Sequence, residues 1–385
     1  MRVLVAPASF KECLSAAEAA RALAEGVRRA GAEAVLLPLA DGGRGTADCV
    51  VLALGGRTVA VRVTGPLGES VAAALGLVDA GRTAVLEMAS ASGLALVPRE
   101  RRDALHATTR GTGELLRAAL DAGAQKIFLG IGDSATSDGG AGAAQALGFR
   151  LLDAGGRPIG PGAAGLETLA RIDPGGKDPR LAQTEVVVAC DVDNPLLGPR
   201  GAARIFSPQK GAGPAEVERI EAALARLAEI VRRDLGVDVL GLAGGGAAGG
   251  LGAGAVAFLG ARLMPGAEWV MDVLAIDARL HEVDLVLTAE GRFDAQSLGG
   301  KAPMALARRA RAAGVPCAVI PGSLGPGYEP ALAQGVTAIF PLVRENVTLR
   351  EAMAEAPALL AARAEEAVRR CAAGAGPDRG DARSR

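Results

Sequence analysis

The chain has 385 residues, enough for two domains, and half of them are hydrophobic, so two cores can be filled. Its 42 basic and 43 acidic residues leave a net charge of −1, which excludes the concentrated basic footprint of a nucleic-acid binder, and the 2% aromatic content excludes stacking platforms for single strands. The five cysteines are scattered and, with just two histidines (His106 and His281), form no metal-ligand spacing, so reduced thiols in a cytoplasmic protein are expected.

In chain order, residues 1–6 read as a strand, centred on Val3–Ala6, and lack the long apolar core of a signal peptide. Ser15–Ala30 predicts a helix with Ser15 as N-cap and Glu18 completing a capping box; Val35–Leu39 predicts a second strand. Arg57–Thr64, Ser70–Asp79 and Thr83–Met88 predict a β-meander turning at Gly65-Pro66 and Ala80-Gly81. Helix Gly113–Ala122, strand Ile127–Ile131, helix Gly140–Leu147, strand Glu185–Ala189 and the amphipathic helix Val217–Leu235 follow. Val239–Ala261 is uncharged over a bilayer's length but carries nine glycines. Each costs a helix about 0.8–1 kcal/mol against alanine, so a glycine-rich loop leading into a short helix is expected, not a membrane span.

Toward the end, Asp284–Thr288, Cys317–Pro321 and Thr337–Leu342 read as buried strands, separated by helices Ala302–Ala313 and Glu329–Gln334. Residues 374–385 are polar and expected to be disordered. The alternation predicts an α/β protein: one doubly wound parallel sheet from residues 1–56 plus 280–373, with a second α/β domain inserted at 57–279.

In open parallel sheets ligands sit beyond the carboxyl ends of strands. Those positions here hold Ser9 and Lys11, Asp41-Gly42-Gly43-Arg44-Gly45-Thr46, Ser134 through Gly140, Asp191-Val192-Asp193-Asn194, and Glu290, Arg292, Asp294 and Lys301. Polar groups at strand ends of both domains point to a cleft between them. Cations for phosphates, carboxylates for a metal and a base for a hydroxyl are what phosphoryl transfer requires. No GxxxxGK[ST] loop is present; Gly244–Gly254 and Pro208-Gln209-Lys210-Gly211 stand in its place, with backbone amides able to cradle phosphate. The glycine run fits a flexible loop as well as a cradle, and Asp138-Gly139-Gly140 fits a helix N-cap as well as a ligand site.

The ordered set of segments is the specific signal. It comprises Ser9-Phe10-Lys11, Ala40-Asp41-Gly42-Gly43, Glu87-Met88-Ala89, Gly111-Thr112-Gly113-Glu114-Leu115, Ser134-Ala135-Thr136, Asp138-Gly139-Gly140-Ala141-Gly142, Cys190-Asp191-Val192-Asp193-Asn194-Pro195-Leu196, Pro208-Gln209-Lys210-Gly211-Ala212, Ala247-Ala248-Gly249-Gly250-Leu251-Gly252, Glu290-Gly291-Arg292 and Gly300-Lys301-Ala302-Pro303. Together they resemble the bacterial-type glycerate kinase family over roughly residues 1–370.

The resemblance implies a flavodoxin-like domain carrying an inserted restriction-endonuclease-like domain, and ATP, Mg²⁺ and D-glycerate as ligands, usually with 2-phosphoglycerate as product. The implied partners are small molecules, with neither nucleic acid nor membrane among them; no oligomeric state is implied. Carried onto this chain, Asp191, Asp41, Lys11 and Lys301 become the catalytic candidates. Ser9, Lys11, Ser134 and Arg292 are candidates for the substrate; Lys210, Gly249, Gly250 and Gly252 for phosphate and nucleotide; Asp193, Glu290 and Asp294 for the metal. Ala8, Glu12, Arg44, Asp133, Ser137 and Ala289 depart from the family pattern, which leaves a non-catalytic sugar-acid or nucleotide binder of the same fold as the alternative.

Overall fold

A computed structural model describes residues 1–10 and 13–373, so Lys11 and the expected disordered tail at 374–385 lie outside the described residues. The chain divides into two units, Met1–Asp41 with Ala267–Arg385, and Gly42–Gly266. It opens with β1 (Arg2–Val5) and β2 (Glu33–Leu36). It then builds β3 (Arg57–Thr64), β4 (Ser70–Val78), β5 (Thr83–Glu87), β6 (Lys126–Gly130), β7 (Arg150–Leu152), β8 (Arg171–Asp173), β9 (Glu185–Ala189) and β10 (Arg262–Met264). Finally it adds β11 (Leu285–Phe293), β12 (Cys317–Leu324) and β13 (Ala338–Ile339).

The first unit is a five-stranded sheet, β13-β12-β11-β1-β2, in which every neighbouring pair is parallel. Its inner strands β1, β11 and β12 carry buried runs of Val, Leu, Ile and Ala, apolar on both faces as a helix-covered parallel sheet requires, while β2 and β13 at the edges are less buried. Helix Ala16–Arg29 starts at the expected capping box: Glu18 N–H donates to Ser15 Oγ at 3.3 Å, and Ser15 N–H donates to Glu18 Oε2 at 2.9 Å. β11 and β12 run past the expected ends because they pair with each other through Arg292↔Ser323 and Phe293↔Leu324. Glu290 therefore lies inside a paired strand instead of just beyond one. Glu329–Gln334 is a 3-10 segment in place of the expected α-helix, with Pro330 in its first turn.

The second unit has a six-stranded sheet, β10-β9-β6-β5-β4-β3, and a two-stranded ribbon, β7-β8. β3, β4 and β5 form the expected antiparallel meander, and β5, β6, β9 and β10 continue in parallel. The units meet in sequence at Asp41–Gly42 and Gly266–Ala267, both earlier than the expected crossings at 56–57 and 279–280. Helix Thr46–Leu54 explains the first shift: Glu87, at the end of β5, accepts Ala47 N–H at 2.9 Å and so ties that helix to the second unit's sheet. Arg309 explains the second. It binds Glu268, Asp272 and Asp277, holding residues 266–280 on helix Ala302–Ala312 of the first unit. Val239–Ala261 forms helix Ala247–Leu259, and among the described residues no helix is long and apolar enough to cross a membrane.

Candidate active site

In the first unit four of the sequence-derived candidates gather at the carboxyl ends of the strands. Glu290 is 7% exposed, and burial pushes its carboxyl up to about 7. A hydrogen bond from Ser297 and the Lys301 ammonium pull it down, while Asp41 and Asp294 push it further up. Glu290 Oε1 is buried with no hydrogen-bond partner among the described residues. Ser297 Oγ also accepts Asp294 N–H at 3.3 Å, which links the Glu290 carboxyl to the Asp294 backbone through one hydroxyl. Asp294 is fixed by Gln296 N–H on Oδ1 at 2.9 Å and by Arg292 Nε on Oδ2 at 3.0 Å, so Arg292 is an exposed arm held by its neighbour. Lys301, half-buried after the left-handed Gly300, starts helix Ala302–Ala312. Ala8 N–H donates to the Ala289 carbonyl at 2.8 Å, which keeps the exposed Ser9 beside the strand that carries Glu290. β1 and β11 are also where strand order reverses in this sheet, the position at which open α/β sheets bind ligands.

In the second unit Asp191 is exposed past β9, and its Oδ1 accepts Gly266 N–H at 3.0 Å. Asp193 is exposed and differently held: a hydrogen bond from Arg200 at 2.5 Å, with that residue's charge, keeps its carboxyl below the usual range. Asp138 is fully buried and accepts Thr109 N–H, Thr109 Oγ1–H, Gly140 N–H and Gly142 N–H at 2.8–3.2 Å. These donors lie at the starts of helices Arg110–Asp121 and Ala141–Ala146, so Asp138 ties two helix starts together. Ser134 is buried in a bridge with Gly93. Lys210 is 1% exposed and donates from Nζ to the Thr136 carbonyl at 2.5 Å.

Gly249, Gly250 and Gly252 are buried at the start of helix Ala247–Leu259. A Cβ on Gly249, where φ is +68°, would stand 2.0 Å from the Thr136 oxygen. We expect Gly249→Ala to lose about 2–4 kcal/mol, from overpacking and left-handed strain together. A denaturant midpoint equal to wild type would show that this packing is soft.

Neither Glu87 nor Thr109 is marked for a role by the sequence. Glu87 accepts the N–H of Ala47, 40 residues earlier, and Thr109 serves Asp138 29 residues away, so local sequence carries no sign of either partnership.

The sequence profile described as "Glycerate kinase family" matches residues 3–372. The chain belongs to the glycerate kinase family. A glycerate kinase of Halalkalibacterium halodurans is 48% identical over 96% of this chain and 97% of its own. The glycerate 2-kinase of Escherichia coli K12 is 48% identical over 91% and 93%. A crystal structure from Salmonella typhimurium LT2, described there provisionally as glycerate kinase 2, superposes with a TM-score of 0.89 at 49% identity, covering 97% of this chain and 99% of that one. Asp133 has φ +57°, a left-handed conformation that Asp tolerates better than most residues. Arg44 is exposed, and Ala289 is fully buried within β11.

Magnesium takes oxygen ligands. The orphaned Glu290 Oε1, with Asp41 and Asp294 near enough to raise its pKa, fits a divalent cation in kind. Asp193, held by Arg200, fits less well. Among the described residues no three His, Cys, Asp or Glu side chains are grouped so as to hold a metal ion unaided.

Proposed function

We propose that this chain catalyses ATP-dependent phosphorylation of D-glycerate, with 2-phosphoglycerate as product. The observation that carries the reading is the near-complete match to the glycerate kinase family, in a chain that also gathers Glu290, Asp41, Asp294 and Lys301 at one strand edge. The name of the Escherichia coli relative, glycerate 2-kinase, favours position 2. In this reading the glycerate hydroxyl oxygen attacks the γ-phosphorus, the bond from that phosphorus to the ADP oxygen breaks, and Asp191 takes the hydroxyl proton. Arg292 and the amides near Ser134 bind the carboxylate. Lys301 neutralises charge on the transferred group. Glu290 and Asp294 would hold Mg²⁺, which when bound supplies charge neutralisation on the phosphate oxygens.

The first unit's order, β2-β1-β11-β12-β13, supports reading it as flavodoxin-like. The second unit is then the inserted restriction-endonuclease-like domain, and the cell compartment is the cytoplasm. Phosphorus NMR of the product from D-glycerate and ATP tests the assignment. Coupling to a single proton is expected for the 2-phosphate; coupling to two protons would assign the 3-phosphate and refute the position.

A further inference from the structure

Lys210 is out of reach of any ligand on the surface, yet a buried ammonium is costly unless something specific is gained. Its long side chain ends under the loop after β6, where Nζ donates to the Thr136 carbonyl at 2.5 Å. The same carbonyl oxygen lies against Gly249, where no side chain could fit. Thr136 is itself fully buried, and its Oγ1 has no hydrogen-bond partner among the described residues. The loop is thus held by its backbone, at the expense of a buried hydroxyl left unsatisfied.

The remaining ties run the same way. Ala135 N–H donates to Ser92 O, Ser137 Oγ is 3.1 Å from Ser207 Oγ, and Gly139 N–H donates to Gly249 O. Asp138 accepts four donors at the loop's end and lies close enough for its charge to favour the ammonium, although burial pushes Lys210 down to about 7. At the other end Gly132 and Asp133 are exposed, so the loop is anchored at 134–139 and presented at 132–133, directly before Ser134.

We infer that Lys210 is a positioning residue: it clamps the Thr136 carbonyl from beneath so that the backbone around Ser134 is preformed to receive the substrate carboxylate. This rests on the proposed glycerate kinase activity, and it replaces the direct phosphate contact that the sequence motif suggested for Lys210. Methionine at this position has similar length and fills the channel but cannot donate. Asp138 keeps its four donors without Lys210, so Lys210→Met is expected to fold.

Steady-state kinetics of Lys210→Met, well below its melting temperature, should show KM for D-glycerate raised about 10-fold or more, with KM for ATP changed less than about 2-fold. Lys210→Gln, which retains a neutral donor one bond shorter, should fall between the two. A rise confined to KM for ATP would place the ammonium on phosphate and overturn the inference. So would both KM values unchanged beside a lowered melting temperature, the mark of a purely structural lysine. If Lys210→Met does not fold, the same two criteria apply to Lys210→Gln. Absence of turnover in the wild-type chain would instead sink the activity itself. Hydrogen exchange then decides the inference: either variant should speed exchange at amides 134–138 relative to wild type, and equal protection would refute the clamp.

Discussion

Asp191→Asn is expected to lower kcat by at least ~10²-fold while leaving the fold intact. The substitution removes the charge and the proton-accepting capacity but keeps an oxygen able to accept Gly266 N–H, the bond that orients the side chain past β9. An asparagine still positions a hydroxyl, so the residual activity measures orientation alone. Asp193→Asn is the internal comparison. Its carboxylate is exposed and paired with Arg200, an arrangement that contributes little at a surface, and a change within a few-fold is expected. Near-wild-type kcat for Asp191→Asn would remove Asp191 from the reaction, and a larger loss at Asp193 would exchange the two roles.

Glu290→Gln is expected to cost at least ~10²-fold in kcat/KM and to weaken the dependence of rate on added Mg²⁺, because it removes the buried carboxylate whose Oε1 has no partner among the described residues. The same variant carries a signature in stability. In the folded chain this carboxyl is raised from 4.5 to about 7, so between those values the native state holds a proton that the unfolded state has released. The contribution is fully present below pH 4.5 and is lost as the pH rises through about 7. In chelator, wild-type stability should therefore lose a contribution across this window that Glu290→Gln does not lose. Parallel pH profiles for the two proteins would show that Glu290 titrates normally and is not desolvated as described.

The strands and the strand-end positions were legible because apolar runs and their polar followers are local. β3 and β9 fall at the residues expected from pattern alone. The ribbon β7-β8 was not legible, since three-residue strands carry too little periodicity, and the helix Thr46–Leu54 was hidden by its β-branched and apolar content. Chemistry was legible as a set and poorly as roles. Glu290, Asp41, Asp294 and Lys301 are drawn from both ends of the chain yet meet at one sheet edge, which strand order dictates and motif spacing does not. Lys210 enters the phosphate candidates through the family motif Pro208-Gln209-Lys210-Gly211-Ala212. Only three-dimensional packing places it beneath Thr136.

Incubating the purified chain with ATP, Mg²⁺ and D-glycerate and following ADP by a coupled assay tests the proposed activity most directly. The expected result is ADP release that requires D-glycerate and stops when either nucleotide or sugar acid is withheld. Tight binding of ATP or D-glycerate without any ADP release would contradict it and would make the chain a binder built on the kinase fold.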